Sequence, residues 1–67
     1  MINDERVVQY RARNLIAQHG AKAAQAAADE LNQSIDHQDW YERDLWARVV
    51  RAIHERLRAA PERKEPE

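Results

Sequence analysis

His19, His37 and His54 are the first residues to weigh for chemistry in this 67-residue chain. His37 falls between Asp36 and Asp39 and close to Glu30, a spacing that brings two or three oxygen and nitrogen donors to one helix junction, as a metal ion needs. The simpler reading is that Asp36 and Asp39 are there to cap the helix that follows, in a connector that is polar because it is exposed. No His-Glu-x-x-His or Glu-x-x-His pattern occurs on any predicted helix. His19 stands just before Gly20, where a protonated imidazole complements the negative end of a helix dipole. His54 flanks an apolar stripe near Arg51 and Arg58 with no nucleophile beside it, and reads as a half-buried structural histidine. Ser34 is the only serine, threonine is absent, and no glycine-rich loop exists to hold a phosphate. The inventory predicts neither an enzyme nor a cofactor nor a metal site.

The arginines raise a second possibility, a helix–turn–helix with the chain's second and third helices in the right order and of the right size. Such a motif offers the first residues of its second helix to base edges. Here that region carries Asp36, Asp39, Glu42 and Asp44 against the single Arg43, which phosphates repel. Arg48, Arg51, Arg56 and Arg58 collect instead further along the helix, and Arg6, Arg11 and Arg13 on the first. Arg48, Arg51 and Arg58 share their face with Asp44 and Glu55, and Asp44 to Arg48 and Glu55 to Arg58 are helix-compatible pairs. With a net charge of −1 there is no bulk attraction to nucleic acid or to anionic lipid either. A nucleic-acid-binding regulator using the arginines of helices 1 and 3 is therefore the alternative reading, not the first.

The elements that must position these residues are helical. One glycine, two prolines and no phenylalanine, with 43% hydrophobic and 34% charged residues, suit long helices and not a turn-rich β fold. The sequence predicts one all-α domain over residues 1–60, with helices at about 4–19, 21–34 and 40–60, and a disordered charged tail over 61–67. Asn3 is the expected N-cap of helix 1, with Ile2 and Val7 as a hydrophobic staple. Its inward stripe is Val8, Ala12, Leu15, Ile16 and His19, and Gly20 supplies the positive φ that stops it. Helix 2 is alanine-rich, with Ala24, Ala27, Ala28, Leu31 and Ile35 facing inward. Asp39 and Glu42 match a capping box for helix 3. That helix turns Trp46, Val49, Val50, Ile53, Leu57 and Ala60 to the core and ends at Pro61. Absence of cysteine excludes disulfides and thiolate metal sites. No run approaches the ~18 apolar residues of a membrane span, and the opening Met1-Ile2-Asn3-Asp4-Glu5 lacks a signal-peptide pattern, so the cytosol is the expected compartment.

A domain this short buries only about 60% of its unfolded surface, yet the apolar residues exceed one inward stripe. On helix 3, Tyr41, Leu45, Ala52 and Ala59 make a second line that widens the apolar arc to about half the circumference, where about 100° normally suffices. Val7, Tyr10 and Ala17 likewise fall off the stripe of helix 1. Trp40 either folds back over the connector or stands out as an anchor. This surplus predicts a contact surface, made by Tyr10, Trp40, Tyr41, Leu45, Ala52 and Ala59, for a second copy or for a larger protein partner.

The chain also resembles a set of short uncharacterised bacterial helical proteins. The matching residues are Leu15-Ile16, His19-Gly20, Ala28-Asp29-Glu30-Leu31, Trp46, Val49-Val50, Ala52-Ile53 and Leu57, spread over residues 12–58. Those proteins have a shorter connector before the tryptophan, often with Gly-Asp, where this chain reads Ser34-Ile35-Asp36-His37-Gln38-Asp39. The resemblance implies bacterial origin and a helical fold. It implies no activity.

Overall fold

The computed structural model describes residues 4–59, which are helical almost throughout, with no strand among them. Helix α1 spans Asp4–His19, α2 spans Ala23–Asp36 and α3 spans Trp40–Ala59. The separation expected between the first two is only a 3-10 turn, Gly20–Lys22, so the described chain forms two uninterrupted helical runs, 4–36 and 40–59. The turn exists because Gly20 takes φ 59°, a conformation open to glycine without cost, and the Ala23 N–H then closes on the Gly20 carbonyl. The staple at Ile2, the cap at Asn3, the inward Ala60, the stop at Pro61 and the tail over 61–67 all lie outside the described residues.

The junction between α2 and α3 closes tightly by the same device. Gln38 has φ 58°, its N–H donates to the Ile35 carbonyl at 3.0 Å, and the Asp39 N–H donates to the Ser34 carbonyl at 2.9 Å. These are the two bonds of a Schellman ending, here with glutamine where glycine is usual. Asp39 then opens α3, its Oδ1 accepting from the Glu42 N–H at 3.3 Å and its carbonyl accepting from the Arg43 N–H at 2.9 Å. The returning half of the expected capping box is not made, because the Glu42 carboxylate goes to Arg11.

The short turn lays α3 back along α2, and α1 packs on α3 as well. Arg11 of α1 bonds Glu42, and Gln9, two residues away, bonds Arg56. Asp4 at the start of α1 bonds Tyr41 at the start of α3, and Ile16 near its end borders a groove with Leu57 near the end of α3, so α1 runs beside α3 over most of its length. Because α3 is covered on two sides, both of its apolar lines are used. The core consists of Val8 and Ala12 from α1, Ala23 and Ala27 from α2, and Leu45, Val49, Ala52 and Ile53 from α3. Leu15, Ile16, Trp46, Val50 and Leu57 pack partly against it.

Three inward expectations are corrected. His19 and Ile35 are exposed, and the buried line of α2 is Ala23, Ala27 and Ser34. Small residues there let the backbones of α2 and α3 approach, and Ser34 is buried at no polar cost because its hydroxyl donates to the Glu30 carbonyl at 3.1 Å. Among the described residues, no helix is long and apolar enough to cross a membrane.

Candidate protein-contact surface

The Schellman turn and the Asp39 cap fix where α3 begins, and so set Trp40 and Tyr41 at the corner of the molecule. Trp40 is 55% exposed and does not fold back over the connector. The Arg43 guanidinium sits over its ring, 5.6 Å from the centroid, and reaches Asp44 at 3.5 Å. Tyr41 is 52% exposed, and its hydroxyl donates to Asp4 Oδ1 at 2.9 Å, tying the corner to the first turn of α1. That hydrogen bond raises the Tyr41 pKa above the usual 10.0, with desolvation and the negative charges of Asp4 and Glu42 adding to it against Arg11.

The expected line down α3 does not continue from this corner. Leu45 and Ala52 are 3% and 7% exposed and belong to the chain's own core, together with Val8 and Ala12 of α1. They offer a partner nothing. The Ala59 side chain lies outside the described residues. Tyr10, 67% exposed, is on the surface as expected, but it lines a groove with Arg56 and Leu57, at the opposite end of α3 from Tyr41. The exposed aromatics therefore make two separate surfaces.

The second of these is a groove of about 600 Å³ between α1 and the end of α3. Tyr10, Arg13, Ile16 and Ala17 line one side, and Arg56 and Leu57 the other. Ile16 and Leu57 are half-buried and give it an apolar floor. Arg56 is steered into the wall by the Gln9 amide, whose oxygen accepts from it at 2.6 and 3.1 Å. Leu57 also borders a neighbouring hollow with Ala21, Ala24, His54 and Arg58. His54 is exposed there and not half-buried as expected.

Charge is distributed unevenly between the two surfaces. Beside Trp40 the α2–α3 junction carries Asp36 and Asp39, while Asp44 is paired with Arg43. Arg13 and Arg56 line the groove, Arg58 lines the adjoining hollow, and Glu55 is turned to Arg51 at 3.8 Å. The pairs expected along α3, Asp44 with Arg48 and Glu55 with Arg58, are thus replaced by Arg43–Asp44 and Arg51–Glu55. Arg48 and Arg58 have no ion pair among the described residues. At the α2–α3 connector, His37 Nδ1 lies 2.9 Å from the Gln33 carbonyl oxygen, and no group of three His, Asp or Glu side chains among the described residues is placed to hold a metal.

Sequence reasoning missed the groove, whose apolar floor reads as ordinary core residues in Ile16 and Leu57. Its signal is Tyr10 and Ala17, one helical face of α1 left over from the stripe. No protein-family model, no curated protein and no solved structure matches the chain.

Proposed function

We propose that the chain is a small non-catalytic protein-interaction module of the cytosol, acting as a homo-oligomer or as an accessory subunit of a larger partner. One observation supports this above the others: of two tryptophans and two tyrosines, Tyr10, Trp40 and Tyr41 stay more than half exposed. Aromatic side chains are the commonest anchors of protein interfaces, because they bury much area for few rotamers. Tyr10 adjoins a groove with an apolar floor, and Trp40 projects from a corner that a tight turn holds in place.

Sedimentation of the full chain at micromolar concentration, together with mass analysis of whatever co-purifies with it stoichiometrically, tests the reading. A species above 7.9 kDa is expected. A Tyr10→Ala, Trp40→Ala double variant is expected to lose it with helicity unchanged. A chain that is strictly monomeric and joins no partner overturns it.

The alternative, a nucleic-acid-binding regulator, draws support from Arg13, Arg48 and Arg58, which lack carboxylate partners among the described residues. It predicts affinity for duplex DNA or RNA that falls steeply with salt, as counterions compete for the phosphates. The first reading predicts binding weaker than ~10 μM near physiological salt, in the range of non-specific contacts.

A further inference from the structure

We infer that the partner of the Tyr10 groove is the Trp40 corner of a second copy of this chain. The inference rests on the protein-contact reading above and names its occupant.

The two surfaces are complementary in shape class and in charge. The corner presents the Trp40 indole, more than half exposed with Arg43 over its ring; Arg43 is paired with Asp44, and Asp36 and Asp39 at the helix junction leave the corner with a net negative charge. The groove presents an open apolar recess of about 600 Å³, with Arg13 and Arg56 on its two walls. Arg13 has no ion pair among the described residues, and Arg56 is held by a neutral amide, so both keep their full charge for an incoming carboxylate. Arg58, on the adjoining hollow that shares Leu57, adds to the positive field at that end.

Charge also decides which surfaces meet. Two corners brought together oppose like net charge, since Arg43 offsets only one of Asp36, Asp39 and Asp44, and two grooves oppose arginine to arginine. Only the unlike pairing places an acidic rim against a basic one, with the aromatic anchor in the recess, and unlike surfaces meeting across copies is the heterologous mode of association. The two surfaces sit at opposite ends of α3, too far apart for one copy to satisfy itself. A net charge of −1 leaves little overall repulsion between copies.

The test is complementation between two full-length variants. Trp40→Ala removes the indole and keeps the groove, whereas Ala17→Glu puts bulk and a negative charge into the groove wall and keeps the corner. Both sites are exposed and helical, and circular dichroism verifies that each variant keeps its fold. At concentrations where the wild type associates, each variant alone is expected at 7.9 kDa, with self-association weakened by at least roughly tenfold, as for loss of an interface anchor. An equimolar mixture is expected to recover a one-to-one pair, because each variant keeps the surface the other lacks. Association of the wild type should also weaken as salt is raised. If the wild type associates but the mixture stays monomeric, the pairing is overturned while the protein-contact reading stands. If either variant associates like the wild type, the pairing is overturned in the same way. A monomeric wild type overturns the pairing and leaves the contact reading to a different protein.

Discussion

The Arg11 guanidinium lies over the Trp46 ring, 4.6 Å from its centroid, while its Nη1 donates to Glu42 Oε1 at 3.0 Å. Two side chains of α3, one turn apart, thus hold one side chain of α1. The stack explains how a half-buried tryptophan can close the edge of a core made mostly of alanine and valine. It also explains the missing half of the capping box, since Glu42 is committed across the helices.

Arg11→Ala should therefore loosen α1 from α3. The Arg11 and Glu42 side chains keep 27% and 32% of their exposure, which places the ion pair nearer the surface class than the buried one. Adding a partly exposed cation–π contact gives an expected loss of about 1–2 kcal/mol in urea unfolding. Arg11→Lys keeps the charge but not the planar stack, and should recover only part of that loss. An unchanged midpoint for Arg11→Ala would show that the Arg11 contacts add nothing measurable to the hold of α1 on α3.

A second expectation separates the core from the contact surface. Ile53 is 0% exposed, and Ile53→Ala should cost about 2–5 kcal/mol, enough to threaten a domain of this size. Leu45→Asp should unfold the chain and not merely dissociate it, because it buries an unpaired carboxylate at a site 3% exposed. Circular dichroism melts read both effects. A folded, monomeric Leu45→Asp protein would return Leu45 to the contact surface.

How much of this was legible in the sequence follows from the same residues. The positive φ at Gly20 and the start of α3 after Asp39 are written locally, in backbone conformation and capping chemistry, and they agree with the structure, although the helical run continues past Gly20 through a 3-10 turn. The double apolar line of α3 is equally visible in Leu45 and Ala52. What it packs against is not, because the placement of α1 on α3 depends on contacts between residues far apart in sequence. A wide apolar arc fits a helix covered from two sides as well as one that binds a partner. The phase of α2 slipped for a related reason: alanine gives little contrast between faces, and Ser34, which satisfies its own hydroxyl one turn back, looks polar while being buried. Tyr10 stands as expected on the surface and Trp40 takes the outward of its two alternatives, but their places at opposite ends of α3 come only from the fold.

The Asp4–Tyr41 bond gives a pH-dependent expectation. The hydroxyl donates to the carboxylate only while it is protonated, so the folded state holds that proton more tightly than the unfolded one and the Tyr41 pKa is raised above 10.0. The sign follows by linkage: the stabilisation is fully present below the unfolded pKa and is lost as pH rises through the folded value. In a Tyr10→Phe background, tyrosinate absorbance should appear later than for a free tyrosine. Asp4→Asn should bring it back down. A titration unmoved by Asp4→Asn would mean that the bond does not persist in solution.

The two positive-φ residues give the last expectation, since the same backbone conformation is occupied once by the residue suited to it and once by a residue that is not. Gly20 has φ 59° and nothing within 4 Å of an added Cβ, so Gly20→Ala meets no clash and its cost is purely conformational. A left-handed L-residue costs about 1–2 kcal/mol, partly offset by the lower entropy of the unfolded alanine chain, which leaves a net loss of about 1 kcal/mol. Gln38 has φ 58° at the Schellman position of α2, where Gln38→Gly removes that strain at a smaller entropic cost and should gain about 0.5–1 kcal/mol. The Gln38 N–H bond to the Ile35 carbonyl is a backbone bond, so the substitution leaves it in place. Opposite shifts of the unfolding midpoint for the two substitutions are expected. A destabilised Gln38→Gly protein would mean that the glutamine side chain holds the turn in a way that outweighs its backbone strain, and would locate the strength of the α2–α3 corner in that side chain instead of in the Asp39 cap.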